Sequence, residues 1–147
     1  MEGYRHIICA TDFSDHCRMA AERAAAIARC YSAQLTLLHV VEYFPEDRSN
    51  VEIAPEDVDP EAYREEMAHA ALEEFAQRLG YDKLTQEVRF STYSAKHEIV
   101  RFAEEQNANL IVVASHGRYG IIPILGSTAY GVTHGAPCDV LTVRARA

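Results

Sequence analysis

The sequence predicts an α/β layered fold built on a parallel sheet, and two observations carry that expectation. Short apolar runs alternate along the chain with longer segments whose apolar residues recur at helical spacing. Two of the runs, QLTLLHVVE (34–42) and NLIVVAS (109–115), are apolar almost throughout. A strand exposed on one face alternates apolar with polar; a strand covered on both faces, as between two helix layers, does not.

The elements follow in order. RHIICATD (5–12) is a β-branched-rich run that ends in polar residues and reads as a buried strand. Ser14 stands where an N-cap belongs, with Asp15 in the first helical turn to complement the helix dipole. Met19, Ala20, Ala24, Ile27 and Ala28 then form one apolar face up to about residue 30. Residues 34–42 are the second strand. YFPEDRSNVEIAPEDVDP (43–60) holds three prolines and six acids and reads as a mobile loop across the ligand edge. An acidic amphipathic helix over 61–79 places Tyr63, Met67, Ala70, Ala71, Phe75 and Leu79 inward, and Gly80 stops it. LTQEVRFS (84–91) is a more polar strand, suited to a sheet edge. A helix over 96–107 carries Ile99, Val100 and Ala103 on one face. Residues 109–115 are a fully buried fourth strand. GSTAYGVTHG (126–135) is a short helix ended by Gly135 and Pro137, and CDVLTVRA (138–145) is a fifth strand. No linker, repeat or low-complexity tract interrupts the series, so residues 1–147 are expected to form one domain.

Composition narrows the function classes. With 48% apolar and 24% charged residues the chain is of globular type. A formal net charge of −8 argues against non-specific nucleic-acid binding, which needs clustered Lys and Arg. It leaves room for a small anion, because backbone N–H groups hold phosphate without net positive charge. No apolar run reaches the ~20 residues of a membrane span. The start, MEGYRHIICATDFSD, lacks the basic and apolar regions of a signal peptide, so the expected location is the cytoplasm, with neither membrane nor nucleic acid as partner. Cys9, Cys17, Cys30 and Cys138 are scattered without a CxxC pair and read as reduced, mostly buried thiols; nothing in the sequence requires a metal.

In a parallel sheet of this kind ligands bind beyond the carboxyl ends of the strands, at the switch in strand order. Three segments should meet there: Ala10 to Ser14, Val40 to Glu42, and Ser115 to Thr128. The last contains SHGRYGIIPILGST. Its glycines would let backbone approach a ligand closely. Gly126-Ser127-Thr128 would open a helix whose N–H groups face an anion, with two hydroxyls added. The competing reading is structural, with Gly117 and Gly120 as turns and Ser127 as the helix cap. Asp12 could accept hydrogen bonds from a ribose, or could shape the strand-to-helix turn. Arg118 could meet a phosphate from the loop. His116 and His134 read as solvated or capping histidines and His39 as a hydrogen-bonded structural one. No GxxxxGK[ST], HExxH, GxSxG or Cys/His nucleophile pattern is present, so the chain carries no specific signature of catalysis.

YRHIICATDFS, QLTLLHVVE, NLIVVASHGRYG, LGST and APCDVLTVR, taken together and in this order, resemble the universal stress protein family over essentially the whole chain. The likeness is to A-type-like bacterial members. It implies an open, Rossmann-like, five-stranded parallel sheet of order 3-2-1-4-5 with helices on both faces. It also implies a cytoplasmic homodimer made under stress, paired through the last strand at Val140, Leu141 and Val143. Nucleotide-binding members are similar to G-x2-G-x9-G-[ST]. Ala114 stands here at the first Gly, Gly117 at the second, and Gly126-Ser127 at the last pair, with eight residues, RYGIIPIL, in place of nine. The aspartate of those members falls on Asp12, and the residue whose backbone meets adenine falls on Val40. The resemblance thus implies a site for ATP, ADP or AMP at Asp12, Val40, Ala114, Gly117, Arg118, Gly126, Ser127 and Thr128. The added methyl of Ala114, the shortened arc and Pro123 all weaken its hold on the outer phosphates. Two readings stand beside this one: a nucleotide-free dimeric interaction protein, and a slow nucleotide hydrolase, for which the loop supplies only His116 and Arg118 and no Lys.

Overall fold

A computed structural model of the chain describes residues 3–42, 59–91, 93–116 and 125–144. Nine elements alternate: β1 (His6–Ala10), α1 (Asp15–Tyr31), β2 (Gln34–Glu42), α2 (Pro60–Leu79), β3 (Leu84–Ser91), α3 (Ala95–Glu105), β4 (Leu110–Ala114), α4 (Ser127–Gly135) and β5 (Asp139–Val143). The strands form one sheet in the order β3-β2-β1-β4-β5. Every neighbouring pair is parallel, with Ile7 opposite Leu35 and Leu110 at the centre. The expected α/β class, strand order and edge position of the polar third strand are all borne out. The acidic stretch 43–58 and the arc 117–124 lie outside the described residues.

The period-2 rule divides the core. Ile7, Cys9, Leu35, Leu37, Leu110 and Val112 face α1 and α2, while Ile8, Leu38, Ile111 and Val113 face α3 and α4. Most side chains in the middle of the central strands are buried on both faces, as their largely apolar sequence requires. Helix α1 presents Ala20, Ala21, Ala24, Ala25 and Ala28 to the sheet, so its backbone packs close. Ser14 caps it, its hydroxyl accepting from the Cys17 N–H at 3.3 Å.

Two helix faces differ from expectation. In α2 the buried residues are Ala68, Leu72 and Ala76, while Met67 is 45% exposed and Ala70 is exposed. Apolar residues spread around much of this helix, so periodicity alone places the face about one residue out. Leu72, fully buried between two alanines, is what anchors it. In α3 the buried face is Ile99, Phe102 and Ala103; Val100 lies beside it, half-buried. Phe102 also receives the Arg89 guanidinium over its ring at 4.9 Å. Arg89 reaches Glu87 and Glu105, each at 3.1 Å, and so ties the edge strand β3 to α3.

Of the thiols, Cys9 and Cys17 are buried, Cys138 is half-buried and Cys30 is exposed, and all four are free. Thiols were expected to be mostly buried, and Cys30, near the end of α1, is the exposed one.

Candidate functional site

The sheet sets the site before any side chain is considered. From β1 the chain winds outward through β2 and β3, then returns past β1 to β4 and β5. The connections after β1 and β4 therefore leave toward opposite faces of the sheet, and a crevice opens between them beyond the strand ends. A cleft of about 530 Å³ occupies that position, within the range of small-molecule sites. Asp12, Val40, Ala114, Ser115, Gly126, Ser127 and Thr128 all line it. The three segments expected to meet do so. Gly117 and Arg118 lie outside the described residues.

One wall is the turn from β1 to α1. Phe13 sits there at φ 67, a conformation unusual for a residue with a large side chain. Three contacts hold it. Its N–H donates to Thr11 Oγ1 at 3.0 Å, the next N–H, of Ser14, donates to Asp12 Oδ1 at 2.9 Å, and its ring stacks on His39 with centroids 4.4 Å apart. His39 in turn donates from Nδ1 to the Thr11 carbonyl at 2.7 Å. His39 is the hydrogen-bonded histidine the sequence suggests, and it also lines the cleft. Asp12 fulfils the turn-shaping reading, and its place in the cleft wall leaves the ribose reading open as well.

The opposite wall is the N-terminus of α4. The cap residue is Gly126, and no side chain caps the helix. Ser127 is instead the first helical residue, which corrects the competing reading of Ser127 as cap: the cap is the residue just before the first one in helical conformation, here Gly126. Gly126 has φ −65 and ψ 155, ordinary extended backbone that any residue adopts. Its glycine is therefore not required by the chain path. The missing side chain leaves space beside the first turn of the helix. The Gly126 N–H donates to the Ser115 carbonyl at 2.7 Å, which fixes this helix start against the end of β4.

His116 departs most from expectation. It reads from sequence as solvated or capping, yet it is 3% exposed. It follows β4 directly, where Ser115 N–H still pairs with the Val143 carbonyl at 2.8 Å, so the chain has not yet left the sheet. Its Nδ1 shares a 2.8 Å hydrogen bond with Ser115 Oγ, and its Nε2 is buried without a partner among the described residues. His134, in the last turn of α4, is exposed as expected, stacked against Tyr130 with centroids 4.4 Å apart. Thr11 and Glu42, within the segments expected here, also line the cleft, as do Leu38, Ala95 and Ile99, which were not expected at the site. Leu38 lies just inside the strand end that the switch-point rule points to. Ala95 and Ile99 enter only through the packing of α3. Among the described residues no group of three or more His, Cys, Asp or Glu is placed to hold a metal ion.

The outer strand β5 carries Val140, Leu141 and Val143, each half-buried within one chain. Leu141 and Val143 pack toward α1 and Val140 toward α4. A groove of about 760 Å³ runs between α1 and β5, lined by Met19, Ile27, Leu141 and Val143 among others. This is why Met19 and Ile27, expected inward, are only partly covered.

Comparison with known proteins places this arrangement. Universal stress protein A homolog 1 of Coxiella burnetii is 37% identical over 142 residues, covering 95% of this chain and 96% of the relative. The solved structure of universal stress protein UspA from Lactobacillus plantarum superposes with a TM-score of 0.77 at 28% identity, covering 98% of this chain and all, 100%, of that one. A universal stress protein solved in complex with cAMP shares the fold, with a TM-score of 0.73 at 24% identity over 97% of this chain and 98% of that one. The model of the universal stress protein family matches residues 3–144. The chain belongs to the universal stress protein family.

Proposed function

We propose that this chain is a cytoplasmic stress-response module, one domain over residues 1–147, that binds an adenine nucleotide weakly and works as a homodimer. The observation that carries the nucleotide reading is the uncapped start of α4 facing Asp12 and Val40 across a single cleft. Helix N–H groups and the Ser127 and Thr128 hydroxyls offer one phosphate a seat. Charge-assisted hydrogen bonds of this kind are worth roughly 1.5–3 kcal/mol each, and two suffice for measurable affinity. Asp12 supplies an acceptor for ribose hydroxyls, and the Val40 backbone lies at the strand end where a flat base can lie. The structural relative bound to cAMP lends support to an adenine ligand.

Eight residues, RYGIIPIL, separate Gly117 from Gly126, one fewer than the nucleotide-binding pattern has. ATP, ADP and AMP therefore bind with similar, weak affinity. Among the described residues the lining holds no Lys or Arg to stabilise charge on a leaving phosphate, which favours binding over hydrolysis. The half-buried apolar edge of β5 and the groove beside it support pairing with a second copy, since an open apolar edge is a hazard unless covered.

The test is chemical identification of whatever small molecule is released when freshly purified protein is denatured. An adenine nucleotide, at less than one per chain, is the expected result. Stoichiometric release of a ligand without adenine contradicts the proposal.

A further inference from the structure

Among the described residues, two buried imidazole nitrogens have no partner: Nε2 of His116 and Nδ1 of His16. The two rings lie against each other, with centroids 6.2 Å apart, at the junction of β4 with the first turn of α1. An unsatisfied polar nitrogen in a protein interior is costly and calls for a partner that the protein itself does not supply. His116 lines the cleft alongside Gly126, Ser127 and Thr128. The charged and titratable groups that share this lining are Asp12 after β1, Cys17 on α1, and His39 and Glu42 on β2; α4 adds none. Two carboxylates and no Lys or Arg make this, among the described residues, an unusual place for a phosphate. His39 is occupied with the Thr11 carbonyl. The remaining imidazole that can bring positive charge to the α4 end of the cleft is His116.

We propose that His116 is a proton-linked phosphate contact, so that anion binding in this cleft takes up a proton from solvent. The inference rests on the nucleotide reading above and adds the residue that answers the phosphate charge. Neutral His116 takes a proton and becomes imidazolium. Nδ1–H then donates to Ser115 Oγ, and Nε2–H donates to a phosphate oxygen, so both ring nitrogens are satisfied only in the complex. Binding the dianion favours the charged ring, so affinity rises as pH falls through the imidazole range.

The experiment is calorimetry of AMP and of adenosine at pH 6.5, 7.5 and 8.5, repeated at pH 7.5 in buffers of different ionisation enthalpy to count protons. Wild-type protein takes up a fraction of a proton, toward one, with AMP and none with adenosine. AMP affinity rises about tenfold from pH 8.5 to 6.5, within the 10- to 100-fold range of one charge-assisted bond. H116Q keeps a neutral donor in place of Nε2 and loses the proton uptake, while H16Q keeps it. The proton count on wild-type protein needs no variant, so a poorly folding H116Q does not blunt the test. AMP binding without proton uptake, or uptake that survives in folded H116Q, overturns this inference and leaves the nucleotide reading standing. Failure of both AMP and adenosine to bind at every pH overturns the two together.

Discussion

Asp12 sits where two roles meet, and a pair of substitutions separates them. Its Oδ1 accepts the Ser14 N–H at 2.9 Å, and this bond helps hold Phe13 at φ 67 ahead of the Ser14 cap. Asp12→Ala removes that acceptor from a half-buried turn. A hydrogen bond to a charged group is worth roughly 1.5–3 kcal/mol when buried, and partial access to water reduces the loss here to about 1–2 kcal/mol. For a chain of this size that is a fall in Tm of about 3–6 °C. Asp12→Asn keeps an oxygen in the same place, so the turn survives and Tm changes by less than about 2 °C. The ligand sees the two changes differently. A carboxylate accepting from ribose hydroxyls contributes about 1.5–3 kcal/mol, so Ala weakens AMP binding by roughly 10- to 100-fold, and Asn, a neutral acceptor, weakens it by several-fold. Thermal unfolding by circular dichroism and calorimetry with AMP give both quantities on the same samples. If Asn and Ala both leave AMP affinity unchanged while Ala lowers Tm, Asp12 is only a turn residue and the ribose argument is wrong.

Gly126→Ala keeps Tm within about 2 °C, because φ −65 suits alanine, yet weakens ATP, ADP and AMP alike by about tenfold through the methyl group set beside the phosphate seat; a variant that binds as well as wild type removes the close-approach argument. Burial, reinforced by the Asp12 charge, raises the Cys17 thiol from 9.0 to about 11, and burial raises Cys9 in the same direction. The unfolded chain releases these protons first, so stability holds below about pH 9 and falls from there to pH 11, by up to about 1.4 kcal/mol per pH unit for each thiol; a flat urea midpoint across that window refutes it. In the folded protein at pH 8 a maleimide labels exposed Cys30 first and leaves Cys9 and Cys17 unlabelled, as peptide mass mapping would record. Val140→Glu with Val143→Glu converts the dimer to monomer in light scattering at micromolar concentration, and a wild-type monomer or an unaffected dimer contradicts the pairing of β5 edges.

Much of the fold was legible because the sheet is covered on both faces. Largely apolar strands at 34–42 and 109–115 point to a parallel sheet covered on both faces, and Ser14 and Gly80 mark helix ends by local chemistry alone. The α2 face was not legible. With Ala62, Met67, Ala70 and Ala71 spread around the helix, only the tertiary fit of Leu72 selects a side. In the site, strand-end positions such as Asp12, Val40 and Ala114 followed from topology. His116 was misread because its sequence neighbours are Ser, Gly and Arg, which suggest a surface loop. Its neighbour Ser115 still pairs with the Val143 carbonyl of β5, and its own ring lies beside His16 of α1. Contacts between strands distant in sequence leave no mark in a local pattern. The competing reading of Ser127 as cap fails for a smaller reason, since Gly126 and Ser127 are both acceptable caps and only backbone angles distinguish them.

The central claim is that the uncapped start of α4 seats a phosphate of an adenine nucleotide. Calorimetry with ATP, ADP and AMP on nucleotide-stripped wild-type protein tests it most directly. The account predicts weak binding of all three at one site per chain, with affinities within a few-fold of one another. Tight ATP binding with strong discrimination against AMP contradicts the short-arc argument, and no heat or competition from any of the three at millimolar ligand contradicts the claim itself.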